Sequence, residues 1–294
     1  MNELKITSIT KKYESKIVLN DVSTTLSNGI TGIIGPNGSG KSTLLKIITG
    51  LLTPDYGSMS YKGNTINPQS MEWRVKIGYL PQYPGLYERM TAYEYLDYLL
   101  ILSQWKNKQS RNERINELME KMNLTSFENY TIKYLSGGMR QKVAIAQALI
   151  HNPSVILLDE PTNNLDTEER TRIHNYLLEI SKEKLILFIG HIVDELSSLC
   201  STILIFDKGK LMYKGNPEKL IEIQKEFIKE IKIPLKINFH KIKETLKILN
   251  IGQREDELIV HFDSRFNDYP GSSFSKPTLS EAYQSLIFSN QINR

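Results

Sequence analysis

Apolar and polar positions alternate along the first part of the chain with the two-residue period of β-strands. The alternation covers residues 4–22, and an unbroken apolar run follows at 30–34. Helical spacing first appears at 41–49, where Gly50 is placed to end the helix. A turn-rich stretch occupies 53–69. The pattern therefore predicts a β-rich beginning that encloses one helix.

The middle of the chain alternates between strand-like and helical patterns. A short strand is predicted at 77–80, and helical spacing covers 91–124. Apolar runs typical of buried strands return at 155–158, 185–189 and 203–206. Strands separated by helices predict an α/β core built on a parallel sheet.

The pattern changes after Gly215. Residues 220–231 have helical spacing, and residues 233–239 alternate like a strand. A second helix is predicted at 242–249 and a second strand at 258–262. We therefore expect a small β-α-β appendix at this end of the chain.

These changes of pattern predict two domains. The first covers residues 1–216 and contains a helical insertion at about 91–134. The second, a small accessory domain, covers residues 217–294.

Composition adds limits but no specific function. The 294 residues are 40% hydrophobic and 24% charged, as in an ordinary globular protein. The net charge of +4 is too small to indicate a nucleic-acid partner. Cys200 is the single cysteine, which fits a reducing compartment. No leader pattern or apolar stretch of about 18 residues is present, so we expect a cytoplasmic protein.

Gly35-Pro36-Asn37-Gly38-Ser39-Gly40-Lys41-Ser42-Thr43, called here the phosphate loop, satisfies the pattern G-x-x-x-x-G-K-[ST]. Its glycines let backbone N–H groups turn towards phosphate oxygens at a helix N-terminus. Lys41 is expected to neutralise the β- and γ-phosphates, and the Ser42 hydroxyl to bind Mg²⁺. The alternative is a glycine-rich turn without a ligand, which the strand before it and the helix after it disfavour. Kinases, GTPases, helicases and transport ATPases share this motif.

Asp159 and Glu160 follow the apolar run at 155–158. A buried strand would deliver both carboxylates to the edge where open α/β sheets bind ligands. Asp159 is expected to hold Mg²⁺, and Glu160 to act as general base on the attacking water. The alternative is a core strand that ends in a solvated acidic turn.

Ser136-Gly137-Gly138, called here the Ser-Gly-Gly stretch, separates the possible nucleotide-binding classes. Ser136 is placed to cap a helix that begins near Gly138. Two glycines weaken a helix start but expose N–H groups to an anion, which indicates a second phosphate clamp. The alternative is a capped helix without a ligand.

Taken together, the motifs resemble the nucleotide-binding subunit of ABC transporters over about residues 4–215. The resemblance implies an α/β fold: a P-loop NTPase core with a parallel sheet, an N-terminal antiparallel β part and a helical subdomain. It also implies a head-to-tail homodimer with ATP and Mg²⁺ between its phosphate loops and Ser-Gly-Gly stretches, docked under separately encoded permease subunits. No nucleic-acid partner is expected.

Further site residues follow from the same resemblance. Tyr13 corresponds to an aromatic that stacks on adenine, or it is an ordinary surface tyrosine. Gln82 corresponds to a glutamine that contacts Mg²⁺ and the attacking water, with a plain turn residue as the alternative. His191 corresponds to the histidine that binds the γ-phosphate. Asp166 belongs to a loop that crosses the dimer.

The sequence departs from the family pattern at two places. Asn163-Asn164 stands where a small residue and glycine are common, and Ile189-Gly190 replaces the more usual hydroxyl residues before His191. Because Glu160 and His191 are retained, both composite sites of a homodimer are expected to hydrolyse ATP.

The last helix resembles the ending of drug, antibiotic and peptide exporter ATPases. The segment 277–283 matches that ending except at Ser280 and Tyr283. A purely structural alternative is an amphipathic helix with Leu279, Tyr283 and Leu286 turned inward.

Aromatic residues cluster just after Gln82. They suit either a groove for a membrane-subunit helix or the core of the helical insertion. These residues are Tyr83, Tyr87, Met90, Tyr93 and Tyr95.

The expected function is therefore ATP hydrolysis that drives transport, with export favoured. An importer of the same family is the first alternative. A translation factor of this family usually carries two cassettes in one chain, and a repair ATPase needs a long heptad insertion; the sequence shows one cassette and no such insertion. The cargo, the membrane subunits and a paralogous ATPase partner are left open.

Overall fold

The computed structural model describes residues 2–14, 16–235 and 239–292. They divide into two compact units. The first contains the residues up to His191 together with Leu199–Lys214, and the second contains Ile192–Ser198 and the residues from Gly215 onward. Within the described ranges, we find no helix that is both long and apolar enough to cross a membrane.

The strands of the first unit form two sheets. In chain order they are β1 (Glu3–Tyr13), β2 (Lys16–Ser27), β3 (Gly29–Ile34), β4 (Tyr56–Tyr61), β5 (Asn64–Thr65), β6 (Ile77–Leu80), β7 (Val155–Asp159), β8 (Leu185–Ile189), β9 (Thr202–Asp207) and β10 (Lys210–Gly215). One sheet is antiparallel, in the order β2-β1-β4-β5. The other has the order β10-β9-β3-β8-β7-β6, with parallel pairing from β9 to β6.

Helices occupy the connections between these strands. They are α1 (Lys41–Ile48), α2 (Met71–Arg74), α3 (Ala92–Leu102), α4 (Lys108–Lys121), α5 (Gly137–Leu149), α6 (Thr167–Ser181) and α7 (Val193–Leu199). The stretch between α4 and α5 carries short 3₁₀ turns at Thr125–Phe127 and Ile132–Tyr134. The parallel sheet, its antiparallel neighbour and these helices confirm the predicted α/β class.

The main core of the first unit joins the two sheets and α1. Every residue of β7 and β8 is buried, as expected for parallel strands covered on both faces. Leu44 and Ile47 of α1 pack in the same cluster as Ile6 of β1 and Leu157 of β7. Since α1 is fixed by this packing on both sheets, its N-terminus has a defined position at the edge of the parallel sheet.

The second unit is built on a four-stranded sheet with the order β12-β13-β11-β14. Its elements are α8 (Pro217–Gln224), β11 (Ile228–Pro234), α9 (Phe239–Thr245), β12 (Ile248–Arg254), β13 (Glu257–Asp263), β14 (Ser273–Phe274) and α10 (Leu279–Ile292). The three strand pairs are antiparallel. The predicted second strand, 258–262, is β13. The helix expected over 242–249 ends at Thr245, and residues from Ile248 form β12, a strand that was not predicted. The predicted β-α-β order is therefore β11-α9-β13, with β12 inserted between α9 and β13.

Several predicted boundaries in this unit are wrong. The helix expected over 220–231 ends at Gln224, and residues from Ile228 enter β11 instead. The apolar spacing there fits both a helical and a two-residue period, and pairing with β13 decides for the strand. The strand expected over 233–239 ends at Pro234, and Ile237 lies outside the described residues.

The inward face of α10 also differs from the amphipathic expectation. Leu279 is buried as predicted, but Tyr283 and Leu286 are only partly buried. Ser285 is fully buried instead, because its hydroxyl donates a 2.7 Å hydrogen bond to Asp263 Oδ2. A polar contact therefore sets the rotation of this helix.

Candidate functional site

The phosphate loop connects β3 to α1, as the sequence predicts. Gly38 and Gly40 have positive φ angles of 75° and 104°, a region that favours glycine. A Cβ atom on Gly40 would lie 2.7 Å from the Val18 carbonyl oxygen, which is closer than packing allows. The loop conformation at Gly40 therefore depends on glycine for two independent reasons.

Lys41 is the first residue of α1 and turns back along the loop. Its Nζ donates hydrogen bonds to the carbonyl oxygens of Gly35 at 2.7 Å and Pro36 at 3.0 Å. Burial lowers the pKa of Lys41, and the nearby carboxylates of Asp159 and Glu160 oppose that shift. The ammonium group is thus placed where it can neutralise an anion held by the loop.

Asp159 is the last residue of β7 and is 2% exposed. Burial raises the pKa of its carboxyl group, while a hydrogen bond with Ser42 works in the opposite direction. A carboxylate and a hydroxyl side by side are oxygen donors of the kind that Mg²⁺ prefers. The residues present therefore fit a magnesium ion at this position.

Glu160 follows directly and has an unusual backbone. Its φ angle is 56°, and its N–H group donates to the Ile189 carbonyl of β8 at 3.0 Å. Its side chain is 8% exposed. Oε1 lies 2.5 Å from His191 Nε2, and Oε2 accepts a 3.1 Å hydrogen bond from Gln82 Nε2. Two of the predicted catalytic side chains, Gln82 and His191, therefore contact the carboxylate of a third, Glu160.

A cavity of about 370 Å³ lies beside the phosphate loop. Its walls are formed by Val18, Asn37, Gly38, Ser39, Gly40, Lys41, Ser42, Thr43, Gln82, Glu160 and His191. This cavity fits a nucleoside triphosphate, because it combines the backbone N–H groups of a glycine-rich turn with a lysine and a helix N-terminus.

The remaining predicted residues lie outside the walls of this cavity. Gly35 and Pro36 do not line it, but their carbonyl oxygens accept the Lys41 hydrogen bonds. Asp159 does not line it either, but it is hydrogen-bonded to Ser42, which does. Tyr13, at the end of β1, is 47% exposed, and the Lys11 Nζ lies 5.8 Å from its ring centroid. The ring is thus accessible for stacking.

The Ser-Gly-Gly stretch begins α5 at a separate place. The Ser136 hydroxyl caps the helix by accepting a 3.2 Å hydrogen bond from the Met139 N–H. Ser136 and Gly137 are exposed, and Gly137 lines a second cavity of about 390 Å³ that also reaches Gln82 and Glu160. The structure therefore does not bring this stretch to the phosphate loop of the same chain.

The loop between Glu160 and α6 contains the predicted residue Asp166 and also Asn163, whose contact with Glu160 was not predicted. Asp166 caps α6 by accepting a 2.9 Å hydrogen bond from the Glu169 N–H. Asn163 Nδ2 donates a 2.7 Å hydrogen bond to Glu160 Oε2. The signal available in the sequence was the amide side chain three residues after Glu160, within reach of one tight turn.

Val18 was also missed as a wall of the cavity. Its side chain belongs to a short apolar run in β2 and gives no sequence signal of a binding role.

The aromatic residues after Gln82 divide between core and surface. Tyr95 is buried and meets the Tyr87 ring edge-to-face at a centroid distance of 5.7 Å. Tyr83 is 85% exposed. A nearby cleft of about 440 Å³ is lined mainly by apolar groups, among them the exposed side chains of Met71, Val75 and Leu102.

Comparisons with known proteins agree with this geometry. The profile of the family described as ABC transporter matches residues 19–163. The ABC transporter ATP-binding protein NatA of Bacillus subtilis is 36% identical over 229 residues, which cover 76% of this chain and 93% of that protein. The lipopolysaccharide export system ATP-binding protein LptB of Haemophilus influenzae is 36% identical, covering 75% and 93%. A Nod factor export ATP-binding protein I of Rhizobium johnstonii is 34% identical, covering 75% and 71%.

Solved structures give the same result. An ATP-binding subunit of an ABC transporter superposes with a TM-score of 0.69 at 27% identity, covering 75% of this chain and 92% of that one. A bacterial ABC transporter cassette solved as a dimer has a TM-score of 0.67 at 29% identity, covering 72% and 98%. The identity and coverage of these relatives show that the chain belongs to the ABC transporter family, as an ATP-binding subunit.

Proposed function

We propose that this chain binds Mg-ATP at the phosphate loop and hydrolyses it as a head-to-tail homodimer that drives export through separate membrane subunits. The observation that carries the proposal is the convergence of Gln82 and His191 on the buried carboxylate of Glu160, in the wall of the cavity that the phosphate loop lines.

Each side chain has a defined task in this proposal. Lys41 neutralises the β- and γ-phosphate charge, and Ser42 and Asp159 hold Mg²⁺, which supplies further neutralisation when bound. Glu160 accepts a proton from the attacking water, which its buried position near the loop allows. Gln82 and His191 hold the carboxylate from its two oxygens. Tyr13 stacks on the adenine.

The proposed dimer is based on the separation of the phosphate loop from the Ser-Gly-Gly stretch within one chain. Ser136 and Gly138 do not line the phosphate-loop cavity, and the exposed Ser136 and Gly137 face away from packed core. We infer that the Ser-Gly-Gly stretch binds the nucleotide held by a second copy. The dimeric relative supports pairing of such cassettes. Asp166 then lies in the loop that crosses the interface, and both composite sites retain Glu160 and His191.

The membrane subunits would dock at the apolar cleft of the first unit. Its exposed lining residues Met71, Val75 and Leu102 offer an apolar surface for a helix from a permease. We propose the assembly on the inner face of the cell membrane, with residues 1–216 as the ATP-binding domain and 217–294 as an accessory domain. Export is supported by the relatives named for lipopolysaccharide and Nod factor export.

Two variants test the chemistry. Glu160→Gln should keep ATP binding but lower turnover by about 10²- to 10⁴-fold, the range for loss of a general base. Lys41→Ala should weaken ATP binding itself. Equilibrium binding of a fluorescent ATP analogue and steady-state phosphate release separate the two effects. Parental turnover by Glu160→Gln would contradict the assignment of the general base.

A further inference from the structure

The Glu160 carboxylate has a third side-chain partner besides Gln82 and His191. Asn163 Nδ2 lies 2.7 Å from Glu160 Oε2, which is shorter than the 3.1 Å bond from Gln82 to the same oxygen. A hydrogen bond to an ionised acceptor is stronger than one between neutral groups. Asn163 is therefore placed to be the main partner of this oxygen.

Asn163 belongs to the segment 161–166, called here the connecting loop. Its N–H group reaches the Glu160 carbonyl at 3.4 Å, so the loop begins as a tight turn that folds the amide back over the carboxylate. Gln141 of α5 donates a 2.9 Å hydrogen bond to the Pro161 carbonyl, and Asp166 closes the loop by capping α6. The loop is thus fixed at its beginning by α5 and at its end by α6.

The far side of the loop rests on the Ser-Gly-Gly stretch. Asn164 has a left-handed φ of 64°, a conformation that asparagine tolerates better than most residues. Its carbonyl oxygen would lie 2.9 Å from a Cβ atom placed on Gly138. Because this contact leaves no room for a side chain, the start of α5 packs directly against the backbone of the residue that follows Asn163.

We propose that Asn163 is a positioning residue: its amide holds Glu160 in the orientation for proton abstraction and makes that orientation depend on the connecting loop. The inference rests on the proposed function, because it takes Glu160 as the general base. Closure of a second copy against the Ser-Gly-Gly stretch would then act on the base of this chain through a single amide. The departure of this loop from the family pattern gives the contact its particular form here.

Asn163→Ala in the full-length chain tests the role. We expect kcat for ATP hydrolysis to fall about tenfold or more, as for a lost hydrogen bond to a charged group, with KM changed less than about twofold. Asn163→Asp keeps the shape but sets two carboxylates together, so its loss should exceed that of alanine.

A double-mutant cycle separates this role from a structural one. If Asn163 acts through Glu160, Asn163→Ala adds nothing to the residual single-turnover rate of Glu160→Gln. An additive loss, a parental kcat in Asn163→Ala, or aspartate retaining more activity than alanine would each overturn the inference. If Glu160→Gln itself hydrolyses ATP at the parental rate, the proposed function fails instead, so the two failures are distinguishable.

Discussion

Gly137→Asp should make the folded chain more stable and yet lower its ATPase activity. Gly137 has an ordinary helical φ, and no atom lies within 4 Å of the position of an added Cβ, so the side chain fits. The first turn of α5 contains no acidic residue. An aspartate there gains about 0.3–1 kcal/mol from the helix dipole. Replacing glycine also reduces the conformational entropy of the unfolded chain, which is worth about 0.4–1 kcal/mol for a change to alanine.

The same charge opposes the proposed nucleotide contact. Two unit charges about 4 Å apart repel by about 1 kcal/mol in water and about 4 kcal/mol at an effective dielectric constant near 20. Because the γ-phosphate carries more than one charge, closure on ATP should weaken by at least about tenfold. Gly137→Asn has nearly the same shape without the charge, and it should lose much less.

Thermal unfolding without nucleotide and phosphate release with Mg-ATP measure the two effects on the same preparations. We expect the melting temperature of Gly137→Asp to rise by about 2–4 °C for each kcal/mol gained. Its ATPase activity should fall below that of Gly137→Asn. A Gly137→Asp protein that hydrolyses ATP at the parental rate would refute the placement of this stretch against nucleotide.

Three further predictions concern stability. Gly38→Ala should lower the free energy of unfolding by about 1–2 kcal/mol, because the backbone at Gly38 is left-handed. Gly40→Ala should lower it by about 1–3 kcal/mol more, because an added Cβ would clash with the backbone of a neighbouring strand. Equal losses in urea unfolding would contradict this packing. Burial raises the pKa of Asp159, so its charged form destabilises the fold at pH values above the pKa of the unfolded chain. Asp159→Asn should therefore raise the melting temperature without nucleotide at pH 7, and this gain should shrink towards pH 4. A lower melting temperature at pH 7 would count against this prediction. Burial lowers the pKa of His151, so its contribution is complete above about pH 6.5 and is lost on acidification. His151→Gln should therefore lose less stability than the parent between pH 7 and 5, and a parallel decline would contradict this.

The parts of the site that local sequence dictates were predictable. The phosphate loop follows from an apolar run, spaced glycines and a helix start, all within about 20 residues. Asp159 and Glu160 follow from the buried run before them, because a parallel strand ends at the ligand-binding edge. Each of these inferences needs only the hydrophobic pattern of one element and the residue at which that pattern ends.

Contacts that depend on how distant segments meet were not predictable in detail. The left-handed backbone of Glu160 is held by the carbonyl of Ile189, about 30 residues later in the chain. The Asn163 amide could have reached several groups, and the tight turn after Glu160 selects the carboxylate. Such choices depend on tertiary packing that the pattern of one strand does not contain.

The second unit shows the same limit for secondary structure. β12 was not predicted because Leu249 is its one fully buried position, so it lacks the alternation of a half-buried strand. It lies at the edge of its sheet and pairs with β13 alone. The burial of Ser285 likewise depends on Asp263, which comes from another element. Polar partners can thus replace the apolar signal on which sequence patterns depend.

The most direct test of the central claim is sedimentation of the full-length Glu160→Gln variant with saturating Mg-ATP. We expect a stable dimer with ATP and a monomer without nucleotide, and we expect Gly137→Asp in the same background to dimerise at least about tenfold more weakly. Glu160→Gln that stays monomeric with saturating Mg-ATP would contradict the account, and so would dimerisation that Gly137→Asp leaves unchanged.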